Sequence, residues 1–133
     1  MILEIRTYRL RPGSSRQFVR AMHDAAPLQE QIGIRVVGYG ISLAAEDGHE
    51  EAYLVREFDS LASRETLQQR FYGSDAWRDG PRSAVLDAIE NYHTVVMENF
   101  RLVVAGAGDA PQVPEGVRPG SAQMVLDESP VGR

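Results

Sequence analysis

The first ten residues, MILEIRTYRL, alternate in a way that leaves neither face of a strand purely polar. Successive side chains of a strand point to opposite faces, which places Leu3 and Ile5 on one side. Glu4, Arg6 and Tyr8 lie on the other side. A strand on a solvated sheet alternates apolar and polar positions instead. We therefore expect both faces to be covered, with the charged side chains in a largely closed space.

Hydrophobic periodicity then predicts a helix after the turn RPGSSRQ. Pro27 lies inside the apolar pattern and predicts a kink or break before Gln31. Gly33 is suited to end the helix because a left-handed terminal residue is least strained as glycine. The apolar positions that recur at helical spacing are Phe18, Val19, Met22, Ala25 and Ala26.

Three further strands and a broken helical region follow. The β-branched and aromatic segments IRVVGYGISLA (34–44), EAYLVREF (51–58) and NYHTVVMENFRLVV (91–104) read as strands. Gly38 and Gly40 predict a bulge or a close approach by another group. Between strands three and four, DSLASRETLQQRFY, SDAWRD and RSAVLDAIE predict helical pieces separated by glycine and proline.

The element order predicts an α+β, ferredoxin-like βαββαβ fold with a four-stranded antiparallel sheet and helices on one face. The second strand is apolar on both faces, since Ile34 and Val36 alternate with a second set, Val37, Tyr39, Ile41 and Leu43. The helices can cover only one face, so a second copy of the sheet is the simplest cover for the other. We therefore expect a homodimer.

The chain is 133 residues long, which suits one domain. We assign that domain to residues 1–104. Residues 105–133 hold five of the twelve glycines and four of the seven prolines, and they read as a C-terminal tail that packs on the partner subunit.

Composition excludes several classes of function. The net charge of -5, with scattered arginines, argues against a nucleic-acid partner. The chain has no cysteine, which removes disulfides and thiolate chemistry. No apolar run approaches the roughly 20 residues needed to span a bilayer, and no signal peptide is evident, so a soluble cytoplasmic protein is expected.

Motifs for nucleophilic catalysis, phosphate binding and metal binding are lacking, so we expect no metal and no cofactor. The three histidines, His23, His49 and His93, are far apart in sequence. His93, at the start of the fourth strand, is the best candidate for a chemical role. Haem stays open as a ligand, although nothing local supports it.

Arg6 and Tyr8 are the leading ligand-binding candidates because they project into the same space. A guanidinium fork and a phenol can hold a carboxylate or an enolate oxygen. The alternative is a structural ion pair buried inside the expected dimer. The carboxylates expected near Arg6 are Glu4, Glu57 and Glu98.

Four other side chains are candidates for the same pocket. Tyr53 and Arg56 lie on opposite faces of the third strand, so only one of them can share a pocket with Arg6. Trp77, between two helix breaks, reads as a pocket wall or as an apolar core residue. Tyr39, between two glycines, could face a ligand or simply fit a bulge.

Four local stretches, IRTYRLRPG, IRVVGYG, REFDSLASRE and GSDAWRD, together resemble NIPSNAP-domain proteins in order and spacing. The resemblance implies a dimeric α+β barrel, in which two ferredoxin-like sheets pack face to face. Related branches include antibiotic-biosynthesis monooxygenases, small dehalogenase- or cyclase-like proteins and haem enzymes, and the fold alone does not choose among them. Two functions stay open: a small-molecule-binding protein with cofactor-independent chemistry, and a non-catalytic dimeric interaction or sensing domain.

Overall fold

The computed structural model describes residues 1–45 and 47–99. Met1–Met97 form one compact unit. Its elements are β1 (Ile2–Leu10), α1 (Ser15–Ile32), β2 (Arg35–Ile41), β3 (Glu51–Phe58), α2 (Leu61–Tyr72), α3 (Asp75–Arg78), α4 (Arg82–Ala88) and β4 (Ile89–Glu98). The strands form one four-stranded antiparallel sheet in the order β2-β3-β1-β4, which confirms the predicted α+β, ferredoxin-like class. The predicted tail, residues 105–133, lies outside the described residues.

Register between the two central strands decides which side chains share the helix-covered face. Tyr8 pairs with Ala52, Arg6 with Leu54, and Glu4 with Arg56. Directly paired residues lie on the same face of a sheet. Ala52, Leu54 and Arg56 are buried, as are Glu4 and Tyr8, so this face lies beneath the helices. The expectation that Glu4, Arg6 and Tyr8 share a closed space is confirmed.

The helix α1 contributes much of the cover. Phe18, Ala21, Met22, Ala25 and Gln29 are its buried residues. The predicted break at Pro27 is wrong, because the helix is continuous from Ser15 to Ile32. Pro27 is on the exposed side, where water can replace the lost backbone hydrogen bond, and buried residues on both sides of it hold the helix to the sheet. Gly33 ends the helix with φ 109°, as predicted.

A bulge in β2 changes which of its side chains lie on the same face of the sheet. The pairing slips between Val36 and Gly38, so that Val36 lies opposite Arg56 while Tyr39 lies opposite Leu54. The bulge expected at the glycines is confirmed. The predicted grouping of Val37 with Tyr39 on one face is wrong, because the extra residue reverses the alternation.

Gly40 also has the predicted close neighbour. A Cβ at this position would come within 3.0 Å of the Tyr53 ring. The absence of a side chain therefore lets Tyr53 lie across the neighbouring strand.

The face of the sheet opposite the helices is apolar and partly exposed in the chain. Val37 is 57% exposed, Val95 42% and Tyr53 40%. Leu3, Ile5 and Val55 are half-buried on the same side. None of the helices in the described segments is both long and apolar enough to span a bilayer.

Candidate functional site

A buried ionic network occupies the helix-covered face of β1 and β3. Glu4 and Arg56 are both completely buried. Glu4 Oε1 accepts a hydrogen bond from Arg56 Nε at 2.8 Å and a second from Arg56 Nη2. Glu4 Oε2 accepts one from Arg64 Nε of α2 at 2.7 Å. One carboxylate therefore accepts hydrogen bonds from two guanidinium groups.

The network keeps Glu4 ionised. Burial acts to raise the pKa of Glu4, but the charges of Arg56 and Arg6 and the hydrogen bonds from Arg64 and Arg56 outweigh it. The pKa of Glu4 is therefore below its ordinary value.

Among the described residues, Arg6 has no carboxylate that it does not share with another arginine. Its Nη2 lies 3.7 Å from Glu4 Oε1, an oxygen that already accepts from Arg56. Its hydrogen bonds go to neutral oxygens instead, with Nε donating to Thr94 Oγ1 at 3.1 Å. The Tyr92 ring lies beneath the guanidinium at 5.0 Å, in a cation–π contact. Glu57, one of the predicted partners, lies on the opposite face of β3 and pairs with Arg35.

Two neutral side chains of α2 bridge Arg6 and Arg56. The Tyr72 hydroxyl accepts a hydrogen bond from each Nη1 at 3.2 Å. Gln68 Oε1 accepts from each Nη2, at 3.3 Å from Arg6 and 2.6 Å from Arg56. The two like charges are thus held side by side by shared oxygens.

A cavity of about 570 Å³ opens beside this network, between the sheet and the helices α1, α2, α3 and α4. Its volume falls in the range of small-molecule sites, about 300–1,000 Å³. The lining is mixed: Arg6, Arg64, Gln68, Tyr72 and Thr94 are polar, whereas Met22, Leu54, Phe71, Trp77, Val85 and Ile89 are apolar. The cavity can take a molecule that has both an apolar part and an anionic group.

Charge in the cluster is unbalanced. Arg6, Arg56 and Arg64 all lie within 4.0 Å of Glu4, which is the acidic partner of these three side chains in the described part of the chain. Two positive charges are therefore left without a matching carboxylate, and both Arg6 and Arg64 reach the cavity wall.

The predicted candidates divide into two groups. Arg6, Tyr8 and Trp77 line the cavity, and Arg56 lies buried beside them in the network. Arg56, rather than Tyr53, is therefore the residue of the third strand on the Arg6 side. Tyr53 and His93 are exposed on the opposite face of the sheet.

Tyr39 lies on the helix-covered face but away from this cavity. Its hydroxyl contacts His23 Nδ1 of α1, and the two rings meet edge to face at 5.5 Å. Within the described residues no three His, Asp or Glu side chains gather as a metal site requires.

Sequence reasoning missed the contribution of α2 to the site. Arg64, Gln68 and Tyr72 follow one another at intervals of four residues, so they lie along one side of the helix. That spacing is the signal that could have found them. Arg56 Nη1 donates a hydrogen bond to Gln29 Oε1 of α1 at 2.8 Å. The position of Gln29 among buried apolar residues of the helix was a second signal.

The fold and the site define a ferredoxin-like α+β protein with an arginine-rich cleft under its helices. A NIPSNAP family model matches residues 3–101, and the chain belongs to the NIPSNAP family. The predicted resemblance is thereby confirmed.

Solved structures agree with this assignment. A NIPSNAP family protein of unknown function from Agrobacterium tumefaciens is 27% identical, with a TM-score of 0.68 over 77% of this chain and 91% of that chain. An uncharacterised NIPSNAP domain protein from Burkholderia xenovorans is 19% identical, with a TM-score of 0.61 over 84% and 100% of the two chains.

A protein assigned as an antibiotic biosynthesis monooxygenase from Nitrosomonas europaea shares the fold at 13% identity, with a TM-score of 0.56 over 76% of this chain and 100% of that one. No curated protein matches the sequence.

Proposed function

We propose that this NIPSNAP protein is a homodimer that binds a small, partly apolar anion in the cleft beside Arg6. Its chemistry there is cofactor-independent and of the cyclase, isomerase or monooxygenase-like kind. The observation that carries the proposal is the surplus of positive charge at the cavity wall. Three guanidinium groups share the Glu4 carboxylate. Arg6 lines the cavity, and within residues 1–45 and 47–99 its hydrogen-bond acceptors are all neutral.

The surplus positive charge matters for binding because the side chain that carries it is buried. The Arg6 side chain is only 12% exposed, so water offers it little compensation. An unmatched buried charge is costly, whereas an anionic ligand would supply the missing partner. A carboxylate or enolate matches the planar donor fork of arginine.

The rest of the cavity suits an apolar or aromatic group. Phe71, Tyr72 and Trp77 form an aromatic cluster with ring centroids 5.0–5.4 Å apart. Aromatic walls favour flat, weakly polar ligands through stacking and edge contacts. The monooxygenase-like neighbour shares this fold, which is consistent with small-molecule chemistry but does not by itself assign it.

Binding of phenylacetate tests the proposal, because this ligand joins a carboxylate to an aromatic ring. We expect phenylacetate to raise the melting temperature of the wild-type protein and phenylacetamide, its neutral analogue, to leave it unchanged. Arg6→Met should abolish the phenylacetate effect while keeping a cooperative unfolding transition.

The matched control is Arg9→Met, on the same strand but paired with Asp47 at the surface. It should retain binding. Equal stabilisation by the neutral amide, or binding that survives in Arg6→Met, would contradict the proposal. Haem is included in the same screen, and a haem-dependent shift would argue against a cofactor-independent site.

The second candidate is a non-catalytic dimeric interaction or sensing domain. The exposed apolar face of the sheet favours it, since Val37, Tyr53 and Val95 offer a surface for a second copy. A dimer that shows no response to any anionic ligand would support this second candidate over the first.

A further inference from the structure

We infer that Tyr72 is the proton donor of the cleft and that the site catalyses the ketonisation of enolisable aromatic 2-oxo carboxylates. The inference rests on the proposed function, since it assumes that an anion binds beside Arg6. It adds the reaction class and the residue that carries the proton.

The hydrogen bonds of Tyr72 define its chemical role. A phenol oxygen has two lone pairs and one proton. Both lone-pair positions are used, because Arg6 Nη1 and Arg56 Nη1 each donate to this oxygen at 3.2 Å. The hydroxyl can therefore act only as a donor, and no acceptor for its proton is found in the described part of the chain.

The position of Tyr72 directs that proton to the cavity. Tyr72 lines the cavity, and its ring is held edge to face against Phe71 and Trp77. Arg56 is fixed in turn by Glu4, Gln29 and Gln68. The Tyr72 side chain is thus held in a fixed position at the cavity wall before any ligand binds, as a catalytic group needs to be.

The same two arginines would stabilise the oxygen after it gives up its proton. Loss of the proton leaves a phenolate between two guanidinium donors, which are already in place and need no reorganisation. Tyr8 and Tyr92 also line the cavity, but neither hydroxyl receives hydrogen bonds from two arginines in the described structure. Burial raises the pKa of Tyr8, which makes it a poorer acid.

The reaction needs no co-reactant. In ketonisation, the Oη–H bond of Tyr72 breaks and its proton goes to the carbon next to the future carbonyl. The electron pair of the C=C bond forms the new C–H bond, and the enol C–O bond becomes C=O. The enol proton leaves to water, and the Tyr72 phenolate takes a proton back from water.

The substrate class follows from the wall of the cavity. A carboxylate would meet Arg6 and Arg64 at the cavity wall, where three guanidinium groups share the one Glu4 carboxylate, and an aromatic ring would lie against Trp77. The enol carbon between these two groups would then lie near Tyr72. Phenylpyruvate has this arrangement and serves as the probe, because its enol absorbs in the ultraviolet.

The experiment measures ketonisation of the phenylpyruvate enol by the full chain, with phenylacetate binding measured on each variant. We expect the wild type to accelerate ketonisation and Tyr72→Phe to lose about 10²-fold or more in kcat. Tyr72→Phe should still bind phenylacetate within about threefold, since Gln68 continues to bridge Arg6 and Arg56. Tyr53→Phe, on the opposite face of the sheet, is the control and should keep the wild-type rate.

The outcomes separate the two proposals. Wild type that binds phenylacetate but does not accelerate ketonisation would overturn the ketonisation inference and leave the anion site standing. If Tyr72→Phe keeps the wild-type rate, another group donates the proton and the role inferred for Tyr72 is wrong. Absence of phenylacetate binding would overturn both. If Tyr72→Phe unfolds, Gln68→Leu is measured instead, because Gln68 also bridges Arg6 and Arg56 beside Tyr72. A Gln68→Leu variant that keeps full activity would contradict the inference.

Discussion

The two faces of the sheet differ in where they place charged and apolar side chains. The helix-covered face buries Glu4 and Arg56 completely, whereas the open face exposes Val37 and Val95. Charged groups are buried only when other groups satisfy them, and exposed apolar patches mark contact surfaces. The covered face therefore carries a buried polar network, whereas the open face leaves apolar side chains in contact with water in the single chain.

The difference also concerns how each face is stabilised. On the covered face, every fully buried side-chain polar atom of the described residues has a hydrogen-bond partner. On the open face, the ion pair of Arg35 and Glu57 is partly solvated. Removal of a charge should therefore change the free energy of unfolding much more on the covered face than on the open face.

Glu4→Gln should produce the largest effect. It leaves Arg56 and its neighbours without a buried counter-charge, so we expect a loss of about 3–5 kcal/mol in the free energy of unfolding. Urea denaturation measures it. Glu57→Gln on the open face is the matched control and should cost less than about 1 kcal/mol. Similar losses in both variants would break the distinction between the faces.

Lowering the pH should reduce the stability that the Glu4 network contributes on the covered face. Because the pKa of Glu4 is lowered in the folded state, its contribution is complete above its ordinary value, about 4.3, and is lost as pH falls through the folded-state value. The stability difference between wild type and Glu4→Gln should therefore stay constant from pH 6 down to the ordinary pKa of Glu and shrink as the pH falls below it.

Titration of the other carboxylates should change the stability of wild type and Glu4→Gln equally, so it cancels in their difference. Hydrogen bonds from Ser15 and Gly13 also lower the pKa of Glu50, but Glu50 is present in both proteins. A stability difference that stays constant with pH would show that Glu4 is not the group that titrates.

Val95→Lys should have the smallest effect on the stability of the single subunit. Val95 is 42% exposed in the chain, so we expect a cost within about 0.5 kcal/mol to that subunit. It should nevertheless abolish the proposed dimer, because a charge would be buried in the apolar interface. Sedimentation at micromolar concentration measures this.

Leu61→Lys is the control for the dimer experiment. Leu61 is 62% exposed on α2, on the helical side of the sheet. This variant should keep the oligomeric state of the wild type. A stable, well-folded wild-type monomer at micromolar concentration would contradict the proposed assembly altogether.

Local sequence determined much of this protein. The alternation of Glu4, Arg6 and Tyr8 predicted a shared closed face, and the order of periodic segments predicted the ferredoxin-like fold. Gly33 predicted the end of α1, and Gly38 predicted the bulge. These features depend on side-chain period and backbone freedom, which neighbouring residues alone can specify.

Only the tertiary structure decided how the site is assembled. Register placed Arg56 opposite Glu4, and the bulge separated Val37 from Tyr39. Gln68 and Tyr72 reach Arg6 from more than 60 positions away in sequence, through the packing of α2 on the sheet. Long-range pairing depends on the free energy of burying a whole face and of hydrogen-bonding its polar groups together. A local sequence pattern does not carry that information.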